Sequence, residues 1–272
     1  MKRMLALLLL LSAFSACAAS PQEPEATPRT TPAATPVCRQ GGPWAEDGEV
    51  DVEPGAGGAD SISALRWDAH DGCERFVVDL GAGEAGRVEA RVIREAGVVR
   101  IDLPGVTSVD PAHTEARYDG PLARGAYVVT SDDGGNLFVD LHLASAAEVS
   151  VRTLGSPGRI VIDLRPGGGP VPPAAATSDR VVVLQPRAGA AAYPLTVSGY
   201  SRTFEANVVH RLEQGGREVS TGFTTATSWS ETWGWYAFTI DRGPTGDVTL
   251  HVGEESAEDG TWEGAEVALS MR

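Results

Sequence analysis

Residues 76–80 read FVVDL, and the same signature returns three times: VRIDL at 99–103, LFVDL at 137–141 and IVIDL at 160–164. Each is a short run of β-branched and apolar residues closed by Asp-Leu, the pattern of a strand and not of a helix. Asp79 and Asp102 are 23 positions apart, as are Asp140 and Asp163. Laying 76–103 over 137–164 needs no gap and leaves ten of 28 positions identical, Val88/Val149, Arg91/Arg152 and Gly97/Gly158 among them. The unit is therefore strand, hairpin, strand, used twice. A sheet must bury one face, so two copies facing each other predict a β-sandwich over 38–166. The four aspartates are expected at solvent-facing or strand-end positions, with a polar recognition row as the sharper alternative.

The stretch LRWDAHDGCERFVVDL (65–80), together with IVIDLRPG (160–167), resembles an AMIN or AMIN-like domain. Those are β-sandwich modules of bacterial envelope proteins, some of which bind peptidoglycan or target partners within the envelope. The resemblance implies envelope association without naming a substrate.

PGGGPVPPAAATSD (166–179) breaks the apolar pattern, so 167–179 reads as a Gly/Pro linker between two folded segments. Beyond it, about seven short extended stretches separated by Gly, Pro and Asp turns predict an immunoglobulin-like sandwich over 180–272. The fold class is all-β, with two sandwich domains. In FEANVVHRL (204–212), period two puts Phe204, Ala206, Val208, His210 and Leu212 on the core face of a strand. Glu205, Asn207 and Arg211 then form a solvent-side row. In WGWYAFTI (233–240), Tyr236, Phe238 and Ile240 share one face, leaving Trp233 and Trp235 on the other. Trp233 and Trp235, with Glu205, Asn207 and Arg211, are the candidate binding face, because exposed Trp residues are favoured anchors. PLTVSG (194–199), FEANV (204–208), GFTTAT (222–227) and EESAEDG (254–260), in this order, closely resemble the immunoglobulin-like domain of bacterial spore germination proteins. That resemblance implies an extracytoplasmic interaction module and carries over no catalytic residue.

The N-terminus sets the expected compartment. Lys2 and Arg3 precede an apolar run from Met4 to Leu11, too short to span a bilayer. FSAC (14–17) resembles the lipobox of bacterial lipoproteins, with Phe14 where Leu is usual. Residues 1–16 are expected as a lipoprotein signal peptide, Cys17 as the lipidated residue, and 17–37 as that residue plus a flexible Pro/Thr-rich linker. Two acyl chains on one residue suffice for stable anchoring. With Cys17 lipidated, Cys38 and Cys73 remain as a pair, expected as a disulfide in an oxidising compartment.

Formal net charge is −15 and lysine occurs once, at Lys2. Such a chain is repelled by nucleic acid, which is excluded as a partner. The five histidines (70, 113, 142, 210 and 251) are never paired at metal-ligand spacing, so no metal and no cofactor is expected. DDGGN (132–136) and EDG (258–260) read as hairpin turns, which use the same residues as calcium loops. GYSRT (199–203) fails as a nucleophile elbow at its last position. No catalytic residue is assigned. The expected function is a membrane-anchored, extracytoplasmic, non-catalytic binding or scaffolding protein of the cell envelope, its partner peptidoglycan or an envelope protein. The alternative is an accessory subunit that presents a ligand to an envelope enzyme or transporter. A hydrolase with an unrecognised site ranks last.

Overall fold

The computed structural model describes residues 38, 43–133 and 135–272. The expected signal segment 1–16, Cys17 and the linker 17–37 lie outside the described residues. The first sandwich is built from β1 (Gly48–Val50), β2 (Ser61–His70), β3 (Cys73–Leu80), β4 (Glu89–Ile93), β5 (Val98–Leu103), β6 (Ser108–Val109), β7 (Glu115–Arg117), β8 (Ala123–Thr130), β9 (Leu137–Leu143), β10 (Ala147–Leu154) and β11 (Arg159–Pro166). The second is built from β12 (Ala176–Thr177), β13 (Val181–Gln185), β14 (Gly189–Ala191), β15 (Leu195–Ser201), β16 (Asn207–Gln214), β17 (Arg217–Thr225), β18 (Trp233–Ile240), β19 (Gly246–Glu255) and β20 (Trp262–Met271). Three short 3-10 turns are the only helical elements among the described residues. The chain is all-β, as its patterning requires.

The two copies of the repeat do not each make a sheet. One sheet runs β10-β11-β3-β2-β6 and the other contains β4-β5-β9-β8, so each takes the hairpin of one copy and the lone first strand of the other. The four Asp-Leu strands occupy the sheet centres: β3 pairs with β11, and β5 with β9. Central strands are paired along both edges, which suits the most continuous apolar runs in the chain. The core between the sheets is filled by Phe76, Val78, Ile101, Val139, Ile160 and Ile162, all fully buried. At the sandwich edge, Ala45 pairs with Val149 of β10 before β1 pairs with β4, so one short segment closes both sheets.

The repeated carboxylates are not a solvent-facing row. Each meets an arginine from a neighbouring strand: Asp79 with Arg66, Asp102 with Arg91 at 2.8 Å, Asp140 with Arg100 at 2.7 Å, and Asp163 with both Arg75 and Arg152. Asp140 and Asp163 have no exposure at all. A third buried acid, Glu74, accepts from the Trp67 indole at 2.9 Å and from the backbone of Leu122 and Ala123 at 2.7 and 3.0 Å. It ties β3 to the start of β8.

Cys38 and Cys73 are disulfide-bonded, as expected from their number. The bond fastens the entry of the folded region to the first residue of β3. The second sandwich packs Val197, Val208, Leu212, Leu250 and Val252 between two sheets, one of them β14-β20-β19-β16-β17. The other is not separate. β18 pairs in parallel with β8, so β18, β15, β13 and β12 extend the first sandwich's sheet across both halves of the chain. The expected linker 167–179 supplies β12, which is hydrogen-bonded to β13.

The disulfide closes a loop of 35 residues in the unfolded chain, a constraint worth about 4 kcal/mol in the chain-entropy account. The Cys38→Ser, Cys73→Ser variant is expected to lose about that much stability, read as a lower urea midpoint. Reduced wild-type protein should match it.

Candidate functional site

β8 and β18 touch over two residue pairs, Val129 with Trp233 and Thr130 with Gly234. Gly234 is required there, since a Cβ would lie 2.1 Å from the Ser228 carbonyl oxygen. From this short bridge the shared sheet folds so that the outer face of β5, β8 and β9 meets the outer face of β13, β15 and β18. Alternation supplies both surfaces. Val98, Tyr127, Val129 and Phe138 come from one side, and Val182, Leu184, Tyr200 and Trp233 from the other, forming a third buried apolar cluster.

A polar centre lies within it. The Arg100 guanidinium donates to both oxygens of Asp140, at 2.8 and 2.7 Å. The Tyr200 hydroxyl, from the second sandwich, donates to the same carboxylate. Burial, and then the Asp140 charge, pushes the Tyr200 hydroxyl well above its ordinary pKa, so it stays a donor. Arg100 lies over the Phe138 ring at 4.1 Å and the Trp235 ring at 4.9 Å. His142 Nε2 stands 3.5 Å from the Tyr200 oxygen. Its pKa is pushed down to about 4, by burial first; Asp140 opposes this, while Arg187, Arg100 and Arg124 reinforce it. Around the bridge, Thr130 and Thr232 share a 2.5 Å hydrogen bond, and Thr227 Oγ1 donates to the Thr130 carbonyl at 2.6 Å.

Trp233 and Trp235 are therefore not a free binding face. Trp233 is 1% exposed and packs edge-on to Tyr127 of the first sandwich at 5.1 Å, under Arg202 at 4.2 Å. Trp235 is half-buried against Phe138 and Tyr200. Tyr236 and Ile240 do face the core of the second sandwich. On the opposite face the first sandwich covers Trp233 and part of Trp235, contacts that local periodicity cannot report, while Ala237 and Thr239 stay exposed.

FEANVVHRL is also only partly a strand. Residues Phe204–Ala206 form a 3-10 turn, with Glu205 and Ala206 at φ +53° and +60°, and β16 begins at Asn207. Phe204 thus leaves the core face and is 56% exposed. It meets Trp229, 44% exposed, edge to face at 5.5 Å. Val208 and Leu212 are buried as expected, while His210 is half-buried and stacks on Phe238 at 4.2 Å. Burial lowers the His210 pKa. Glu205 and Asn207 are exposed beside the turn. Arg211 sits on the outer face of the β17-β16-β19-β20 sheet, paired with Glu255 and Glu218 and over the Trp262 ring at 4.5 Å. Glu205, Asn207 and Arg211 do not converge with Trp233 and Trp235.

Two crevices flank the seam. One, of about 360 Å³, is lined by Arg91, Arg100, Asp102, Phe138 and Trp235 among others. The other, of about 300 Å³, is lined by Arg117, Tyr118, Arg124, Tyr127, His142 and Ala175 among others. Among the described residues no cluster of three or more His, Cys, Asp or Glu could hold a metal ion. Asp133 takes hydrogen bonds from Ser131 and Asn136, and the Asp259 carboxylate from the Thr261 backbone at 2.9 Å, so both serve their own turns.

Sequence reading missed Phe204, Trp229, Tyr200 and the Asp140–Arg100 pair. Trp229 carried a usable signal, a lone aromatic in the polar run SWSET (228–232). Arg100 and Asp140 carried none, because strand register alone sets them opposite each other.

Residues 180–261 match the family model of the immunoglobulin-like domain of bacterial spore germination, a little under a third of the chain. The second sandwich contains that domain. Neither a curated protein nor a solved structure matches the chain.

Asp140→Ala strands a buried guanidinium and is expected to cost about 3–5 kcal/mol in denaturant unfolding. Tyr200→Phe should cost about 1.5–3 kcal/mol, since its hydroxyl meets a charge. Replacing Asp140 and Arg100 together by leucine should cost less than Asp140→Ala alone. His142 has a folded pKa below that of the unfolded chain. Between pH 6.5 and 4 the unfolded state therefore binds the extra proton. Its contribution is complete above about pH 6.5 and is lost as pH falls towards about 4. Urea midpoints should fall over that range in wild type and fall less in His142→Asn.

Proposed function

We propose that this chain is a membrane-anchored, extracytoplasmic lipoprotein that acts as a non-catalytic binding or scaffolding protein of the bacterial cell envelope. In this reading residues 1–16 are the signal peptide, Cys17 carries the lipid, and the first sandwich is an AMIN-like domain. The Cys38–Cys73 bond supports an oxidising compartment. The spore germination-type domain at 180–261 supports an interaction role.

The observation that carries the reading is the Phe204–Trp229 pair. Two large aromatics stand edge to face, each near half exposed. The turn that projects Phe204 holds two non-glycine residues at positive φ, at an order of 1 kcal/mol or more each. The Glu254 carboxylate, 8% exposed, accepts the Phe204 backbone N–H at 2.7 Å and secures the turn. Strain retained to keep aromatic surface out of a core is what a partner-binding tip requires. The partner is peptidoglycan, an envelope protein, or both.

A second reading, an accessory subunit presenting a ligand to an envelope enzyme or transporter, is favoured by the two crevices beside the seam.

Purified cell wall should retain the full chain from detergent solution, and Phe204→Ala with Trp229→Ala should weaken retention about tenfold, the order of a lost interface anchor. Equal retention of both proteins would rule out the aromatic pair as the contact. No retention of wild type would favour the second reading.

A further inference from the structure

The 300 Å³ crevice has an unusual electrostatic make-up for a chain of net charge −15. Its charged lining is two arginines, Arg117 and Arg124, and no carboxylate lines it among the described residues. Arg117 reaches Asp179 at 3.5 Å, but that carboxylate is 97% exposed and such a pair is weak. Arg124 gives one hydrogen bond, from Nη2 to the Ala144 carbonyl at 3.2 Å, and forms no ion pair among the described residues. Its other N–H donors have no acceptor among the described residues.

Arg187, outside the lining, adds positive charge that acts on His142 in the crevice wall. Arg187 donates Nη2 to the Ala96 carbonyl, while its Nε and Nη1 are buried without an acceptor. It too has no carboxylate within ion-pair distance among the described residues. The charge of Arg124 acts on both Arg187 and His142. Two carboxylates stand nearby, and both are committed: Asp140 to Arg100 and Tyr200, and Glu115, opposite Tyr127, to Arg202 at 3.6 Å. An anion held in the crevice is attracted by the Arg187 charge as well as by the two lining arginines. The remaining walls are two tyrosine rings, Tyr118 and Tyr127, with His142, Gly125, Thr177 and the alanines Ala174 and Ala175. The alanines belong to the segment laid between the sandwiches, so the crevice exists only in the joined chain.

We propose that this crevice is a binding site for a small organic carboxylate, its charged end between Arg117 and Arg124 and its aliphatic body against Tyr118, Tyr127 and the alanines. The volume suits an acid of a few carbons, at the low end of ligand-pocket sizes. The aliphatic walls favour a carboxylate with a body over bare phosphate. The site stands independently of what the Phe204–Trp229 pair meets.

Calorimetric titration of the full chain in detergent, at constant ionic strength, reads binding directly. The probes are propionate, the dipeptide Ala-Ala, its C-terminal amide and inorganic phosphate. Propionate binding supports a free acid as ligand, and tighter binding of Ala-Ala supports a peptide carboxyl end. The amide should not bind. Arg117→Gln with Arg124→Gln should weaken carboxylate binding about tenfold or more, the size expected for lost charge-assisted hydrogen bonds. Arg217→Gln, on the far sheet edge, should leave it unchanged. Heat from the amide or from phosphate equal to that from the carboxylates would overturn the proposal. So would undiminished binding by the double variant, or no binding of either carboxylate by wild type.

Discussion

The carboxylate of Asp140 is the point on which the joined structure turns. It has no exposure, so its charge must be met inside the protein. Arg100, on the neighbouring strand, meets it with two hydrogen bonds from within the first sandwich. The third donor, the Tyr200 hydroxyl, comes from the second sandwich. Apolar contacts across the seam would tolerate several orientations. A buried carboxylate shared between an arginine and a tyrosine tolerates few, because each donor must reach it at hydrogen-bond distance. Phe138 and Trp235 lay their rings against the arginine and leave little of it exposed. The short β8–β18 bridge then continues one sheet through both sandwiches.

That union changes what each half can offer. The tryptophans of β18, which on an isolated domain would be a sticky surface, are consumed as the internal anchor. The aromatic surface that stays exposed lies elsewhere, at Phe204, Trp229 and Phe223. The crevices beside the seam are likewise properties of the pair. One is walled by Trp235 from the second sandwich and Arg91 and Asp102 from the first, the other by the connecting segment and Arg124.

The first sandwich shows how one motif acquires several environments. The hydrophobic-Asp-Leu strand occurs four times, and each copy pairs its aspartate with an arginine. Asp79 and Asp102 stay partly exposed, where such pairs contribute little. Asp163 and Asp140 are fully buried, and only Asp140 faces the other sandwich. The difference comes from the exchange of first strands between repeats, which puts all four motifs at sheet centres, and from the second sandwich that then covers one sheet.

By itself the sequence determined the all-β class, the internal repeat, the Cys38–Cys73 pair and the immunoglobulin-like character read over 180–272, which the family model matches over 180–261. Those features are written in local spacing: period two, turn residues at fixed offsets, a cysteine count, motifs in order. It also assigned the two faces of 233–240. What covers the outer face was decided only by the tertiary structure, since alternation reports which residues share a face and not what lies against it. The same holds for Asp140, Arg100 and Tyr200, brought together by strand register and by the closing of two sandwiches. Phe204 turned outward because Glu205 and Ala206 adopt positive φ, a conformation their side chains do not announce. Contacts between residues distant in sequence carry no local signature, and the candidate sites of this protein are made almost wholly of such contacts.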